Sequence, residues 1–320
     1  CTVPLLEKTR EKISLFTNVT AGDVFSCHDV KSIFMIPQML YEQGLVEVIF
    51  KKFAKVGYVN ASENWDIWNT IVNSLQITEN PIKIAMVGKY VTLADSYVSV
   101  NEALKHATAS INSSVSIDWI DSETLNGNIK KLSEYQGILV PGGFGTRGSE
   151  GIIETSSFAL EQNIPFLGIC FGFQLAAVSF GRSICKLEEA NSTEISADTT
   201  HPIIALLPEQ EGVSDMGGSL RLGANEIKIN PDTLASKLYN SNKISRRHRH
   251  RYEFNTKFRE QFKENGMIFS GESDNGKRME ILEVPSHKFF LGVQFHPEFN
   301  SRPGFPEESF KSFVTAASQN

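Results

Sequence analysis

Short apolar runs alternate with helix-like segments over the last three quarters of the chain. Apolar strands separated by helices are typical of a parallel α/β sheet whose strands are buried on both faces. The pattern therefore predicts an α/β fold with an open, mostly parallel sheet and helices on both faces. The strand-like runs are residues 82–88, 115–120, 137–140 and 164–169, and the helix-like segments are residues 98–113, 148–160 and 171–180.

The first part of the chain has a different pattern and no catalytic signature. Residues 7–14 and 37–53 have charged or apolar positions at helical spacing. Residues 60–80 form a polar stretch that stops at Pro81, which predicts a connector. We therefore predict two parts: residues 1–78, a partial α/β segment with its linker, and residues 82–320, the α/β domain.

Composition narrows the class of protein. The 320-residue chain has a formal net charge of −6, which argues against nucleic acid or an anionic membrane surface as its main partner. No apolar run approaches the roughly 20 residues of a membrane helix. The cysteines show no paired short spacing, so they predict neither a disulfide framework nor a zinc site, and they suit the cytoplasm. The chain begins at Cys1, with no initiator Met and no signal-peptide pattern, so we expect it to be a piece of a longer protein.

Residues 168–172, GICFG, lie at the joint between an apolar run and a helix-like segment. A nucleophile at a tight strand-to-helix turn needs glycine two residues before and after it, because side chains there would clash. Unpaired amides at the helix N-terminus would favour a thiolate at Cys170 and stabilise a developing oxyanion. The alternative is a buried structural cysteine. The strand-turn-helix context favours the nucleophile.

His296 and Glu298 follow another strand-like apolar run. In extended chain, residues two apart face the same side, so the Glu298 carboxylate would orient the imidazole of His296 and stabilise its cation. Pro297 between them disfavours helix at His296. Alone, such a pair is usually a surface feature. Together with Cys170 it predicts a Cys-His-Glu catalytic triad.

A glycine-rich loop, residues 141–145 (PGGFG), follows one apolar run and precedes a helix-like segment. Glycines let backbone N–H groups approach a ligand closely, so the loop would supply an oxyanion donor beside the amide of Phe171. A phosphate-binding loop is the competing interpretation. The segment lacks the spacing and the Lys-Ser/Thr pair of a P-loop, which disfavours it.

The three motifs, PGGFG at residues 141–145, GICFG at residues 168–172 and FHPE at residues 295–298, resemble class I glutamine amidotransferases in order and spacing. Further segments are similar to the CTP synthase family, and Ser32-Ile33 after His28-Asp29-Val30 looks like the end of its synthetase domain. The resemblance covers nearly the whole chain. The CTP synthase-like segments are residues 87–90 (VGKY), 190–194 (ANSTE), 216–223 (MGGSLRLG) and 247–253 (RHRHRYE).

The resemblance implies a flavodoxin-like fold and the glutaminase half of an enzyme that makes CTP. In that family ammonia from L-glutamine aminates UTP that has been activated by ATP, with Mg²⁺ required and with GTP as an allosteric activator. UTP, ATP and CTP would bind through a synthetase domain of which residues 1–78 are only the end. The resemblance implies no cofactor for glutamine hydrolysis and no metal in this chain. It also implies a cytoplasmic homo-oligomer, a tetramer with possible filaments, and neither nucleic acid nor membrane as a partner.

The resemblance also assigns roles to residues. Cys170 would be the nucleophile, His296 the acid/base and Glu298 its partner, with Gly143 and the Phe171 amide as the oxyanion hole. Glu194 would pair with the α-ammonium of glutamine and Arg251 with its α-carboxylate, which suits their charges. The full set implied to bind glutamine is Gly142, Gly143, Phe171, Gly172, Phe173, Gln174, Glu194 and Arg251, with Phe171 and Phe173 where the family usually has Leu and Met.

Two further sites follow from the resemblance alone. Arg147 and Glu150 would belong to a mobile lid near a GTP site. The residues implied at the edge of an ATP site are His28, Asp29 and Val30. No glycine-lysine phosphate loop occurs in the sequence, so we expect this chain by itself to hydrolyse glutamine and not to make CTP.

Three other functions compete with this interpretation. The basic run at residues 246–251 is compatible with a nucleic-acid patch or a nuclear localisation signal, which the acidic net charge disfavours. A γ-glutamyl hydrolase or a cysteine peptidase could share the Cys-His core, but the contexts of Glu194 and Arg251 disfavour it. A regulatory or filament-forming module without chemistry would have no need of a complete triad.

Overall fold

The computed structural model describes residues 1–53, 62–74, 77, 79–91, 93, 95–125, 127–206 and 220–320. The chain divides into two compact units, Cys1–Gln76 and Ile77–Asn320. The predicted similarity of residues 216–219 to a family segment lies outside the described residues. In the first unit the described helices are α1 (Glu7–Thr17), α2 (Ile36–Glu42), α3 (Leu45–Lys52) and α4 (Ser62–Ser74).

The prediction of a connector over residues 60–80 is wrong for most of that stretch, because α4 occupies it. Trp68, Ile71 and Val72 recur at helical spacing within the otherwise polar sequence. Ile71 and Val72 are buried, and the indole Nε1 of Trp68 donates a hydrogen bond to the Phe34 carbonyl oxygen at 2.8 Å. The polar residues of this segment cover the solvent side of a packed helix.

The apolar stretch at residues 37–53 forms two helices rather than one. Gly44, with φ 82°, separates α2 from α3 and has a left-handed conformation that favours glycine. Within the described part of the chain, no single helix is long and apolar enough to cross a membrane. Ile33–Glu42 and Leu45–Lys52 reach that length and composition only as a pair bent by 64°.

The second unit is built on a nine-stranded mixed sheet, which confirms the predicted α/β fold class. Its strand order is β2-β1-β3-β4-β12-β11-β10-β7-β8. Neighbours from β2 to β12 pair in parallel, and neighbours from β12 to β8 pair antiparallel. A separate sheet has the order β5-β6-β9. The strands are β1 (Ile82–Gly88), β2 (Val115–Asp121), β3 (Gly137–Val140), β4 (Phe166–Ile169), β5 (Ala190–Ser192), β6 (His201–Leu206), β7 (Arg221–Ile229), β8 (Lys243–His250), β9 (Tyr252–Phe254), β10 (Ile268–Ser273), β11 (Arg278–Glu283) and β12 (Phe290–Val293).

Two apolar cores lie on the two faces of the large sheet. Along β1, Ala85 and Val87 pack in the core that contains α6 and α7, whereas Ile84 and Met86 pack in the core that contains α5 and α10. This alternation follows from the two-residue period of a strand. The helices of this unit are α5 (Val98–Ala109), α6 (Ser149–Glu161), α7 (Phe171–Ser183), α8 (Leu234–Tyr239), α9 (Arg259–Glu264) and α10 (Glu308–Ala317).

The parallel half of the sheet positions the candidate site. β4 lies between β3 and β12, and all three strands run in the same direction. The glycine-rich loop follows β3, Cys170 follows β4, and His296 follows β12. Because parallel strands end at the same edge of a sheet, the three motifs meet there.

Candidate active site

Cys170 lies at a strained turn between β4 and α7. Its φ of 52° and ψ of −97° are rare for a residue with a side chain. The Cys170 amide donates to the Val293 carbonyl oxygen of β12 at 2.7 Å, which fixes the turn against the neighbouring strand. The residue is buried, and α7 begins at the next residue, Phe171. These features are those of a nucleophile elbow.

The glycines that flank Cys170 lie in tight contacts. A Cβ added to Gly168 would lie 2.8 Å from the backbone oxygen of Gly172. A Cβ added to Gly172 would lie 2.3 Å from the carbonyl oxygen of Val140 in β3. Both distances are shorter than any tolerated carbon contact, so the turn and the start of α7 require glycine at these two positions.

His296 and Glu298 form a hydrogen-bonded pair next to Cys170. The Nδ1 atom of His296 lies 2.8 Å from the Glu298 carboxylate oxygen Oε1. The expectation of extended chain between them is wrong, because Pro297–Asn300 forms a 3₁₀ turn. The missed signal was Pro297 itself, since proline is favoured at the first position of a helix. The turn brings the carboxylate back to the imidazole.

Gly142 lies close to both the imidazole of His296 and the Cys170 side chain. A Cβ added there would lie 3.0 Å from Cε1 of His296 and 3.8 Å from Cβ of Cys170. The Nε2 atom of His296 is buried and has no hydrogen-bond partner among the described residues. With Nδ1 held by Glu298, this nitrogen is the one that remains to exchange a proton with the Cys170 side chain.

The site holds His296 as a cation. Burial lowers the pKa of His296, but the Cys170 side chain and Glu298 outweigh burial and raise it to about 11. The ring is therefore protonated at neutral pH, which stabilises negative charge on the adjacent sulfur. Such a cysteine-histidine pair is the arrangement that nucleophilic catalysis requires.

A cavity of about 320 Å³ opens onto Cys170 and His296. Its wall includes Tyr90, Tyr97 and Arg249, which our sequence analysis did not assign to the site. The Tyr97 hydroxyl oxygen accepts from the Tyr90 amide at 3.2 Å, so the tyrosines support each other. The remaining wall is formed by Ser96, Ser99, Val100, Pro141, Gly142, Gly143, Phe144, Glu298 and Phe299.

The charged residues predicted to bind the ends of glutamine meet around Tyr252. Burial raises the pKa of Tyr252, Glu194 raises it further and Arg251 lowers it, so both charges act on the same ring. The Nε2 atom of Gln174 donates to the Tyr252 carbonyl oxygen at 2.8 Å. Among the described residues, Gln174, Glu194 and Arg251 are not part of the wall of the 320 Å³ cavity. Phe171, Gly172 and Phe173 follow the nucleophile directly in the first turn of α7 and are buried.

Several contacts hold the glycine-rich loop. The buried ammonium of Lys89 donates to the carbonyl oxygens of Phe144, at 2.9 Å, and Gly145, and it lies 4.1 Å from the centre of the Phe171 ring. Burial lowers the pKa of Lys89 to about 8. On the other side, the Gly145 amide donates to Glu194 at 2.6 Å. Sequence reasoning missed Lys89, although its segment was part of the resemblance.

The two residues predicted for a lid lie outside the catalytic cavity. Arg147 donates to the Lys89 carbonyl oxygen at 2.6 Å and pairs with Glu123 at 2.9 Å. Glu150 lies in the first turn of α6 and pairs with Arg182 at 2.7 Å. Arg147 therefore joins the contacts around the loop, whereas Glu150 joins α6 to α7.

The residues predicted at the edge of an ATP site belong to the first unit. His28 and Val30 line a cavity of about 380 Å³ with Met39 and Val72, among others. The Asp29 amide donates to the Cys1 carbonyl oxygen at 2.9 Å. Across the described residues of the chain, no cluster of His, Cys, Asp or Glu has the arrangement of a metal site.

The basic run at residues 246–251 is divided between surface and core. Arg246 pairs with Glu307 at 3.2 Å and with Glu308 at 2.9 Å. His248 and His250 point inward from β8 and are buried. The run is therefore not a single exposed cationic surface.

The buried histidines of β8 form a hydrogen-bonded pair. His250 Nδ1 lies 3.2 Å from the Tyr252 carbonyl oxygen, so it carries the proton, and Nε2 then accepts from Nδ1 of His248 at 3.0 Å. Burial, with the nearby Arg221 guanidinium, lowers the pKa of His248 to about 2 and that of His250 to about 3. Both rings are neutral in the folded protein near pH 7.

Acid should destabilise the second unit through these two rings. Each binds a proton in the unfolded chain below about pH 6.5 but not in the folded one, so stability present above that pH is lost as pH falls toward 3. We expect up to about 1.4 kcal/mol per pH unit from each ring. Urea unfolding at pH 7, 6 and 5 would measure this. A His250→Gln variant should show a shallower pH dependence, and an unchanged slope would contradict the assignment.

Two known family models match different parts of the chain. The family model for glutamine amidotransferase class-I matches residues 92–316, and the model for the CTP synthase N-terminus matches residues 1–55. A CTP synthase of Archaeoglobus fulgidus is 45% identical over 317 residues, which cover 99% of this chain and 59% of the relative. A CTP synthase of Staphylococcus epidermidis is 46% identical over 317 residues, which cover 98% of this chain and 58% of the relative.

A solved structure is similar to about three quarters of this chain. The glutaminase domain of Trypanosoma brucei CTPS, with bound acivicin, superposes with a TM-score of 0.71 at 35% sequence identity. The match covers 75% of this chain and 94% of that domain. The chain thus spans nearly the whole of one solved glutaminase domain and about three fifths of the curated relatives named above.

Proposed function

Because the chain belongs to the class I glutamine amidotransferase family, and within it to the CTP synthases, we propose that Cys170, His296 and Glu298 hydrolyse the side-chain amide of L-glutamine. The observation that carries this proposal is the geometry around His296. One ring nitrogen is held by Glu298 at 2.8 Å, and the other is buried beside the nucleophile elbow, with no hydrogen-bond partner in the described part of the chain. That arrangement suits proton transfer to and from a thiol.

The reaction would proceed by nucleophilic acyl transfer. The Cys170 thiolate attacks the amide carbon, and the carbonyl oxygen becomes an oxyanion next to the backbone amides of Gly143 and Phe171. Protonated His296 gives its proton to the departing nitrogen, so ammonia leaves and a thioester remains. Water then attacks the thioester while His296 takes a proton from the water. Glutamate is released and the thiolate is regenerated.

The two ends of glutamine would bind near Tyr252, on which both Glu194 and Arg251 act. The Glu194 carboxylate suits the α-ammonium group and the Arg251 guanidinium suits the α-carboxylate. Since Glu194 already accepts from the Gly145 amide, the same carboxylate would connect the bound amino acid to the glycine-rich loop. Gln174 would complete this side from α7, together with the backbone of Gly142 and Gly143.

The activity of the complete enzyme extends the proposal beyond this chain. Residues 1–76 would be the end of a synthetase domain, with His28, Asp29 and Val30 near its ATP site. Ammonia would aminate UTP activated by ATP and Mg²⁺ to give CTP, in a cytoplasmic homo-oligomer with GTP as activator. Arg147 would take part in the response to GTP through Lys89, whose carbonyl oxygen it contacts and whose ammonium contacts the loop.

Glutamate release from L-glutamine tests the proposal, with γ-glutamyl peptides as competing substrates. Cys170→Ala should release no glutamate. Cys185→Ala is the matched control, because Cys185 is also buried and burial raises the pKa of its thiol to about 11. That variant should retain the parent rate.

A covalent probe separates a weak enzyme from an inactive one. A chloromethyl ketone analogue of glutamine should alkylate Cys170 in the parent, with displacement of chloride by the thiolate. Labelling without turnover would indicate a competent site that depends on the rest of the enzyme. Absence of both labelling and turnover would contradict the proposal, and faster cleavage of γ-glutamyl peptides than of glutamine would indicate a peptidase.

Lys89 should matter for turnover although it does not reach the nucleophile. In Lys89→Met the carbonyl oxygens of Phe144 and Gly145 lose their buried partner, so the loop that carries Gly143 is less well held. With about 1 kcal/mol for each of two hydrogen bonds, we expect kcat/KM for glutamine to fall by about 10- to 100-fold. Faster hydrogen exchange at the loop amides should accompany the loss.

Lys83→Met is the control for that variant. Lys83 lies in β1, the strand that ends just before Lys89, but it is exposed, so its replacement should leave both the rate and the exchange of the loop unchanged. Normal kinetics in Lys89→Met would show that the loop keeps its geometry without the ammonium.

A further inference from the structure

The sulfur of Cys170 has two polar neighbours besides the triad. The Sγ atom lies 3.8 Å from the Arg249 carbonyl oxygen, to which a thiol donates. It also lies 3.8 Å from Nε2 of Gln294, which donates toward it. The Arg249 carbonyl oxygen is an acceptor and favours the thiol, which has a proton to donate. The Gln294 N–H is a donor and favours the thiolate, which carries negative charge.

Gln294 is held rigidly between the nucleophile and the core. It is buried and directly follows Val293, whose carbonyl oxygen accepts the Cys170 amide at 2.7 Å. The backbone N–H of Gln294 donates to the Glu280 carbonyl oxygen at 2.8 Å. Backbone hydrogen bonds thus connect this segment to the Cys170 turn through Val293 and to β11 through Glu280.

A chain of hydrogen bonds fixes which end of the Gln294 amide faces the sulfur. Nε2 of Gln174 donates both to the Tyr252 carbonyl oxygen, at 2.8 Å, and to Oε1 of Gln294, at 3.2 Å. If the Gln294 amide were flipped, two NH₂ groups would face each other in a buried place, which is costly. The oxygen therefore stays toward Gln174 and the N–H stays toward Cys170.

We propose that Gln294 is a fourth member of the catalytic centre, whose side-chain N–H stabilises the Cys170 thiolate from the side opposite the bulk solvent. With the proton on His296, the sulfur of Cys170 is a buried anion, and a fixed donor dipole compensates part of its charge. The catalytic purpose of this contact rests on the proposed glutaminase function, whereas the stabilisation of the thiolate by Gln294 does not.

The pH dependence of Cys170 alkylation tests this directly. Iodoacetamide reacts with the thiolate, which forms a sulfur–carbon bond and displaces iodide. In Gln294→Met, which keeps the volume and removes the donor, alkylation of Cys170 at pH 7 should slow by up to about tenfold. The pH of half-maximal rate should move up by about one unit. Gln294→Glu keeps the oxygen that faces Gln174 and should shift the curve in the same direction.

Peptide mapping assigns the rate to Cys170, and exposed Cys27 in the same sample gives the internal reference. If the Gln294→Met curve coincides with that of the parent while its free energy of unfolding falls, Gln294 has only a packing role and the proposal is overturned. If the curve shifts but the parent does not hydrolyse glutamine, this proposal stands and the glutaminase function fails. In turnover, the variant should lower kcat far more than it changes KM.

Discussion

Replacing His296 by alanine should lower kcat for glutamine hydrolysis about 10³-fold, within the range for loss of a general acid-base group. The ring is the only candidate among the described residues that is both held by a carboxylate and directed at the nucleophile. Its removal leaves the sulfur without a proton acceptor and the leaving nitrogen without a donor. Steady-state glutamate release measures the loss.

Glu298→Gln should have a smaller effect than His296→Ala. It replaces a charge-assisted hydrogen bond, worth about 1.5–3 kcal/mol, by a neutral one that is roughly half as strong, so kcat should fall by about 3- to 10-fold. His201→Ala serves as the control for His296→Ala, because His201 lies in β6 of the small sheet and contacts Thr200 rather than the nucleophile. Retention of more than a tenth of the parent kcat by His296→Ala would contradict the triad.

Gly172→Ala should destabilise the second unit by about 3 kcal/mol or more, the upper end of the range for overpacking a core. The added carbon would lie 2.3 Å from the Val140 carbonyl oxygen and 3.0 Å from the Val140 Cβ. Neither atom moves without displacing β3, because Val140 lies inside the sheet. Urea unfolding would measure the change, and loss of turnover should accompany it.

Gly181→Ala in the same helix is the matched control. An added carbon there would lie 3.4 Å from the Ala190 Cβ and 3.5 Å from the Phe262 Cζ, which is ordinary contact. Alanine is also the better helix former by about 1 kcal/mol. The variant should be as stable as the parent or more so. Equal losses in both variants would show that α7 tolerates no added carbon anywhere, rather than that the elbow is tight.

The sequence predicts those parts of the molecule that a local pattern determines. The strand runs at residues 82–88 and 137–140 coincide with β1 and β3, since buried parallel strands read as continuous apolar stretches. The joint at Cys170 is also local, because strand, glycine, cysteine and helix are adjacent in the chain. The antiparallel half of the sheet was not predicted, since β7 and β8 alternate exposed and partly buried positions and give no continuous apolar run.

Contacts between distant residues account for what sequence reasoning missed in the site. Lys89 reaches the glycine-rich loop across 55 positions, and Gln294 reaches Cys170 across 124. A lysine or a glutamine at the end of a strand has no local signature that distinguishes a buried role from a solvated one. Only the order of β3, β4 and β12 in the sheet brings these side chains to the nucleophile.

The backbone conformation of Cys170 has a consequence for engineering. A φ of 52° with a side chain present costs of the order of 1–3 kcal/mol, a strain that glycine would not have. Stability and activity therefore oppose each other at this one residue. Directed evolution that selects for heat resistance alone would drift toward glycine at the nucleophile and return a sturdier, inert protein. A selection for robust variants of this domain needs a simultaneous demand for ammonia release.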